Sequence, residues 1–245
     1  MEESPFTIDP HVHSEGSYDG REPVELLLEH AADIDLDAIV VTDHDTIEES
    51  LRAARMAPAY GLVGVPGVEV STADGHLLAI GVEECPRPGQ PLPETVDRVR
   101  ELGGVAVVPH PFQRTRHGVP RRRLAGVDVD GIETYNAWLF TGYRNRRAAA
   151  FARRYDHADL AGSDAHRVET VGRAFTALDL PTDGSVTADD VVAAIRRGDT
   201  AVHGRRAPLH RCAGHYVKGA ARKSGYAARR APGVATSVAS ALLPF

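Results

Sequence analysis

Short apolar runs alternate with amphipathic stretches along the chain, and polar clusters fall where they meet. Phe6-Thr7-Ile8 suits a strand by its aromatic and β-branched side chains. Asp19-Gly20 marks a turn. After Pro23, the segment from Val24 to Ala32 carries apolar residues at helical spacing. Asp37 to Thr42 reads as a buried strand, and Ile47 to about Tyr60 as a helix. Gly61 to Val70 reads as one strand. Past Asp74-Gly75, His76 to Gly81 reads as its antiparallel partner. A Pro-rich connection leads to a helix opening at Leu92-Pro93. Strands are predicted over Val105–Val108, Val129–Glu133, Asp159–Gly162, Ala174–Leu178 and Thr200–His203, with helices over Arg144–Tyr155 and Thr187–Arg197. This alternation predicts a mainly parallel α/β fold in one domain.

The polar residues fall at particular places. His11 and His13, His44, Glu69, His110, Asn136, and Asp164 with His166 each lie at or just after the end of a predicted strand. An i, i+2 pair on a strand shares one face, so His11 and His13 can grip one ion, and Asp9 has the same parity. An isolated pair of this kind is more often two satisfied polar side chains. In a closed β/α barrel, however, the strand ends meet at one face, and these scattered residues converge there. His76 differs, because it lies at a strand's start. Imidazoles and carboxylates without thiolates suit Mn²⁺, Zn²⁺ or Fe²⁺. More than four such groups imply more than one ion, with Glu69 the natural bridging carboxylate.

Composition adds bounds. The 245 residues are 42% hydrophobic and 25% charged, which is ordinary for a globular chain. An acidic start and no apolar run near about 18 residues predict no transmembrane segment and a cytoplasmic location. Cys85 and Cys212, far apart, read as reduced thiols. The formal charge of −6 is unevenly spread: residues 205–245 hold eight Lys and Arg and no acid. That basic tail, rich in Arg, Ala and Gly, is predicted to be a flexible or loosely helical appendage; nucleic acid or an anionic membrane surface is the partner such a charge would attract.

The ordered motifs resemble those of the PHP family (polymerase and histidinol phosphatase). Asp9-Pro10-His11-Val12-His13-Ser14 with Ser17-Tyr18-Asp19-Gly20 is similar to its first motif, Thr42-Asp43-His44-Asp45 to its second, and Gly67-Val68-Glu69-Val70-Ser71 to its third. Gly75 to Gly81, Pro109-His110-Pro111, Ile132 to Asn136 and Gly162-Ser163-Asp164-Ala165-His166 resemble the segments that follow. The resemblance covers residues 5–204, with a PHP-associated segment from about 168 to 204, and leaves 205–245 as the tail. It implies a distorted seven-stranded, TIM-like β/α barrel holding two or three divalent ions and hydrolysing phosphoesters. Carried over, His11, His13, Asp19, His44, Glu69, His76, His110, Asp164 and His166 are the implied metal ligands, with Glu69, Asp164 and His166 also catalytic. Some relatives place the ligand of the His76 strand where this chain has Leu78 or Ala79. Asn136 stands where some three-metal members have His, and Asn is a poor ligand.

Around that set, Asp9, Asp43, Asp45 and Asn136 are predicted to sit behind the ligands and orient imidazoles. Arg114 or Arg116 is predicted to clamp the substrate phosphate, because a guanidinium matches its geometry. Arg121-Arg122-Arg123 reads as a solvated patch, and His30, His157, His203 and His210 as structural or surface residues. The expected activity is phosphomonoester or phosphodiester hydrolysis, a metal-bound hydroxide attacking phosphorus in a phosphorylated small molecule or nucleotide. A histidinol-phosphate-type phosphatase and a nuclease acting on nucleic acid ends are the alternatives. A non-catalytic RNA-binding barrel predicts eroded metal residues, which this chain does not have. An amidohydrolase-type centre wants a mid-barrel lysine, and the only lysines are Lys218 and Lys223.

Overall fold

The computed structural model describes residues 5–138, 142–180 and 185–205. The basic tail expected from 205 onward therefore lies, past Arg205, outside the described residues. The fold is mixed α/β. One five-stranded sheet has the order β10 (Thr200–Gly204), β9 (Ala174–Leu178), β1 (Phe6–Val12), β2 (Ala38–Val41), β3 (Val63–Gly64). The second has the order β4 (Gly67–Thr72), β5 (Gly75–Ile80), β6 (Val105–Val108), β7 (Gly131–Asn136), β8 (Ala158–Gly162). Six α-helices lie among the described residues: α1 (Val24–Asp33), α2 (Glu48–Met56), α3 (Leu92–Glu101), α4 (Arg121–Leu124), α5 (Gly142–Tyr155) and α6 (Ala188–Arg197). No helix among them is long and apolar enough to cross a membrane.

The α/β class follows the sequence pattern, but the strands form two five-stranded sheets, not one ring of seven. Isolated parallel bridges, Val12–Ala165 and His44–Glu69, connect them. The expected parallel bias is diluted as well. β1–β9, β9–β10, β4–β5 and β5–β6 are antiparallel, while β1–β2, β2–β3, β6–β7 and β7–β8 are parallel. The run from Gly61 to Val70 is two strands in different sheets. Pro66 lies between them, and its missing N–H and fixed φ interrupt a ladder.

Two apolar layers set the faces. Leu78, Ile80, Val105 and Val107 of the second sheet pack with Phe6, Ile8 and Val40 of the first and with Val191, Val192 and Ile195 of α6. The alternate residues Leu77, Ala79, Ala106 and Val108 pack instead with α3 and α5 through Val96, Val99, Phe151 and Ala152. Period-2 alternation therefore puts Glu69, the cross-strand partner of Leu78, on the face turned toward the first sheet. Helix α6 is held at one end by a Thr187–Asp190 capping box and at the other by Gly198 in the left-handed conformation.

Strand β1 shows how His11 and His13 are aimed. Ile8 points toward the second sheet, so unbroken alternation would send His11 the other way, toward α1. The pairing of β1 with β2 shifts register between Asp9 and Val12. Val12 then packs with Leu27 and Leu28 of α1, and His11 and His13 turn toward the second sheet. Asp9, expected to share the histidines' parity, instead accepts hydrogen bonds from the N–H groups of His11, Ser163 and Gly172. A one-residue irregularity reverses every later side chain.

Candidate metal centre

Glu69 on β4 is buried, and both its oxygens face imidazoles. Oε1 lies 2.8 Å from His76 Nδ1 and 3.1 Å from His110 Nε2. Oε2 lies 3.3 Å from His13 Nε2, 3.3 Å from His44 Nδ1 and 3.4 Å from His11 Nε2. Two further carboxylates complete the arrangement. Asp19 Oδ2 is 3.1 Å from His166 Nε2 and 3.3 Å from His44 Nε2. Asp164 Oδ1 is 3.6 Å from His13 Nε2 and 3.7 Å from His11 Nε2. The nine residues named from the sequence as ligands thus come together, His76 included. His76 is one strand position from Leu78 on the same face, which explains how a histidine at the strand's start reaches Glu69.

The donor set suits divalent ions. His11 Nε2 and His13 Nε2 face each other at 3.1 Å, and His11 Nδ1 lies 3.1 Å from the carboxylate of Glu133. A carboxylate only accepts, so Nδ1 carries a proton, and Nε2 becomes the lone-pair donor once the ring is neutral. Asp164 Oδ1 and the Nδ1 atoms of His13, His44 and His110 are buried without a hydrogen-bond partner. Buried polar atoms of this kind are costly unless something else satisfies them. Four groups of three side chains hold their donor atoms within 4.8 Å of one another: His11-Glu69-His110, His11-His13-Asp164, His13-Asp19-His166 and His13-His44-Glu69. All donors are nitrogen or oxygen, which matches borderline and hard cations.

The electrostatics follow from burial and crowding. Burial disfavours charge on His44, but Glu69 and Asp19 outweigh it and raise its pKa to about 9. Burial likewise opposes the charge on His11, and Asp164, Glu133 and Glu69 override it, holding its pKa well above the usual value. His13 goes the other way, to about 3, through burial and the neighbouring His166. Glu69 and Asp164 are pushed up by burial, yet the attraction of neighbouring groups wins and keeps both ionised: chiefly the imidazoles around Glu69, His44 first, and Arg116 and His11 for Asp164.

Behind this layer, Glu133 on β7 is the hub. It takes His11 Nδ1 on Oε1 and, on Oε2, the His110 N–H at 2.7 Å and the Asn136 amide at 2.8 Å. Asn136 also donates to Asp164 Oδ2 at 2.8 Å, so its amide ties two carboxylates together. Gly162 on β8 is needed for this packing. A Cβ there would lie 2.5 Å from Glu133 Oε1 and 2.7 Å from His11 Cβ. His110 and Asp164 both have positive φ, 32° and 54°, a conformation disfavoured for side chains beyond glycine. The strand ends hold them there.

The carboxylates expected to orient imidazoles do other work. Asp43 accepts from the Ser14 N–H at 2.7 Å and from the Ser14 hydroxyl, and Asp45 accepts from the Ser71 N–H at 2.7 Å. They pin the loop after β1 and the end of β4, not a ring nitrogen. Imidazole orientation instead falls to Glu133 and, for His166, to the Asp164 carbonyl at 2.8 Å from Nδ1. Of the two candidate phosphate clamps, Arg116 reaches the centre, 2.5 Å from Asp164 Oδ2, while Arg114 stays exposed at the rim. Two contributors lay outside what the sequence pointed to. Ser17 donates to Asp19 Oδ1 at 2.7 Å, and Asn145 of α5 is hydrogen-bonded to the Asn136 backbone. The signals available were the place of Ser17 in the first motif, two residues before Asp19, and that of Asn145 in an Arg-rich helix.

Beside the centre lies a cleft of about 420 Å³, lined by Tyr18, His76, Arg114 and His117 and by the β4–β5 turn. The Tyr18 ring lies flat on His44, centroids 4.7 Å apart, and His117 lies flat on His76 at 5.1 Å.

Comparison with known proteins agrees with this architecture. An uncharacterized protein of Methanocaldococcus jannaschii is 28% identical over 113 residues, which are 46% of this chain and 66% of that protein. A phosphoribosyl 1,2-cyclic phosphate 1,2-diphosphodiesterase of Eggerthella lenta is 38% identical over 82 residues, 31% of either chain. This chain therefore spans less than two thirds of the length of each. In fold, it is similar to a two-domain protein of Bacteroides vulgatus described as containing a predicted PHP-like metal-dependent phosphoesterase: TM-score 0.67, 19% identity, 88% of this chain and 70% of that one. Residues 142–200 match the PHP-associated family. Residues 9–145 match the PHP domain, and they contain seven of the nine clustered candidate ligands; the chain belongs to the PHP domain family.

Proposed function

We propose that this protein hydrolyses phosphoesters, using two or three divalent ions held by His11, His13, Asp19, His44, Glu69, His76, His110, Asp164 and His166. The observation that carries the reading is Glu69, a buried carboxylate with imidazoles arrayed on both oxygens. Divalent ions bound there supply Lewis acidity, lowering the pKa of water and neutralising phosphoryl oxygens. Mn²⁺, Zn²⁺ and Fe²⁺ all fit the donors.

The chain's own groups do the rest. Arg116 is the clamp for a phosphoryl oxygen: its guanidinium is already in the centre, within reach of Asp164 and of Asn136 Oδ1 at 3.5 Å. Asp164, held ionised by Arg116 and His11 and with Oδ1 unsatisfied, would help hold the ions and orient the attacking water by accepting its hydrogen bond, the water's proton reaching the leaving oxygen through solvent. Asn136, held to Glu133 and Asp164 through its amide, acts as a support and not as a ligand. The domain that performs this chemistry extends over residues 5–204.

The test is metal analysis of protein purified without chelator, followed by a Mn²⁺-supplemented screen of phosphomonoesters and phosphodiesters, histidinol phosphate and nucleotides among them. His11→Ala and Glu69→Ala are each expected to lower turnover by at least about 10³-fold while leaving the circular dichroism spectrum unchanged. Near-wild-type turnover in both variants would remove the metal mechanism.

A further inference from the structure

Apart from the tail, two stretches of this acidic chain hold five arginines each and no acid. Residues 102–127 hold Arg114, Arg116, Arg121, Arg122 and Arg123, and residues 134–155 hold five more, all on α5. Each stretch carries +5 in a protein of net charge −6. Arg116 and Arg123 face carboxylates, Asp164 and Asp74; among the described residues the other eight form no ion pair. Surface arginines usually lie among acids of opposite sign, and here the acids are absent from the sequence itself.

The two stretches are also adjacent in space, at the mouth of the centre. Arg144 Nη1 donates to the Phe112 carbonyl at 2.7 Å, and the Arg147 guanidinium lies 5.5 Å above the Phe112 ring. Phe112 belongs to the loop that follows His110 and carries Arg114 and Arg116. On its other side, α4 is tied to the β4–β5 turn through Arg123 and Asp74, and Asp74 lines the cleft with Tyr18 and Arg114. Arg146 and Arg147 are exposed on α5, and Arg121 and Arg122 are exposed on α4.

Aromatic rings stand among these charges. Tyr18 is 72% exposed, with one face on His44 and the other open to the cleft mouth. Tyr143 is 58% exposed beside Arg147. An exposed basic track interleaved with aromatic rings is the arrangement that holds a single strand, phosphates on the charges and bases on the rings. A membrane surface fits less well: the apolar residues of α5, Ala148, Phe151 and Ala152, are buried in the core, so that helix has no greasy face to insert.

We infer that a single-stranded nucleic acid docks across this mouth, its backbone on Arg114, Arg121, Arg122, Arg146 and Arg147 and a base on Tyr18. This rests on the phosphoesterase reading, because it names the class of ester presented to the centre. The small-molecule substrate then becomes one nucleotide unit of a longer polyanion.

The experiment is fluorescence anisotropy with the full chain and a labelled single strand of about 20 nucleotides in EDTA, so that no turnover is needed. Salt is varied from about 50 to 200 mM. Arg121→Glu/Arg122→Glu and Arg146→Glu/Arg147→Glu are each expected to weaken binding at least about tenfold and to flatten the salt slope by about 0.7 for every phosphate no longer neutralised. The corresponding Gln pairs should do the same to a smaller extent. Tyr18→Ala should weaken binding about tenfold at an unchanged salt slope, and Tyr18→Phe should not. Wild-type affinity and slope in both arginine pairs would overturn the inference, whether or not the basic tail binds the strand. So would a parallel titration in which these pairs lose binding to phosphatidylserine vesicles and keep binding to the strand. Since binding is read without turnover, these outcomes stand apart from the fate of His11→Ala and Glu69→Ala.

Discussion

Glu133 decides how His11 presents itself. Its Oε1 faces His11 Nδ1, which leaves Nε2 as the donor, and its Oε2 holds the His110 backbone in a disfavoured positive φ. Glu133→Gln keeps the volume but replaces one acceptor by a donor, so the two N–H partners can no longer both be satisfied. Changes of this sort behind a metal ligand typically cost about 10–100-fold in affinity. A Mn²⁺ titration against a competing chelator should therefore show weakening in that range, with the thermal midpoint of the chelated protein little changed. Equal affinity would mean that His11 needs no such partner. At this scale the sequence named the residues that the structure clusters around Glu69, and it left open which support faces which ring. Imidazoles and carboxylates announce themselves by type and by position at strand ends. Which acid stands behind which ring depends on cross-strand neighbours, as with Glu133 of β7 and His11 of β1, and no short-range pattern encodes that.

The elements were legible wherever periodicity was clean. Helices α1, α3, α5 and α6 and most strands lie within a few residues of their expected bounds. The division into two sheets and the antiparallel pairings escaped, and so did two backbone events. Pro66 divides one apolar run between two sheets, and the register shift after Asp9 turns His11 inward. Alternation counted from Ile8 would have aimed His11 at α1, so the parity argument that paired His11 with His13 omitted the irregularity that turns both toward Glu69. Close approach of elements is the other constraint, and Gly162 is its clearest case. β8 passes so near β1 and β7 that any side chain there meets Glu133 and His11. Gly162→Ala should push these two apart, lowering Mn²⁺ affinity at least as much as Glu133→Gln. It should also lower the melting temperature by several degrees, as overpacking by about 1–3 kcal/mol does. Differential scanning fluorimetry with and without chelator separates the two effects; an unchanged midpoint in both would show that the strands can simply spread.

For the whole molecule, the centre couples protonation, metal and stability. In the chelated protein, His44 has its pKa raised to about 9: burial opposes its charge, but the attraction of Glu69 and Asp19 prevails. A histidine whose folded-state pKa exceeds its unfolded value binds its proton more tightly when folded. Its stabilising contribution is complete below pH of about 6.5 and is lost as pH rises through about 9. His11 is shifted in the same direction. The chelated protein should thus lose several degrees of melting temperature between pH 6.5 and 9. Divalent ions can occupy the centre only as these imidazoles give up their protons, so loading at pH 7 should release protons and apparent affinity should climb with pH until about 9. The loaded protein, its imidazoles already deprotonated, should show a flat midpoint over the same range. Calorimetric titration in buffers of different ionisation enthalpy reads the proton release directly. Loading that releases no proton, together with parallel pH curves for the chelated and loaded forms, would place the ions somewhere other than the Glu69 cluster.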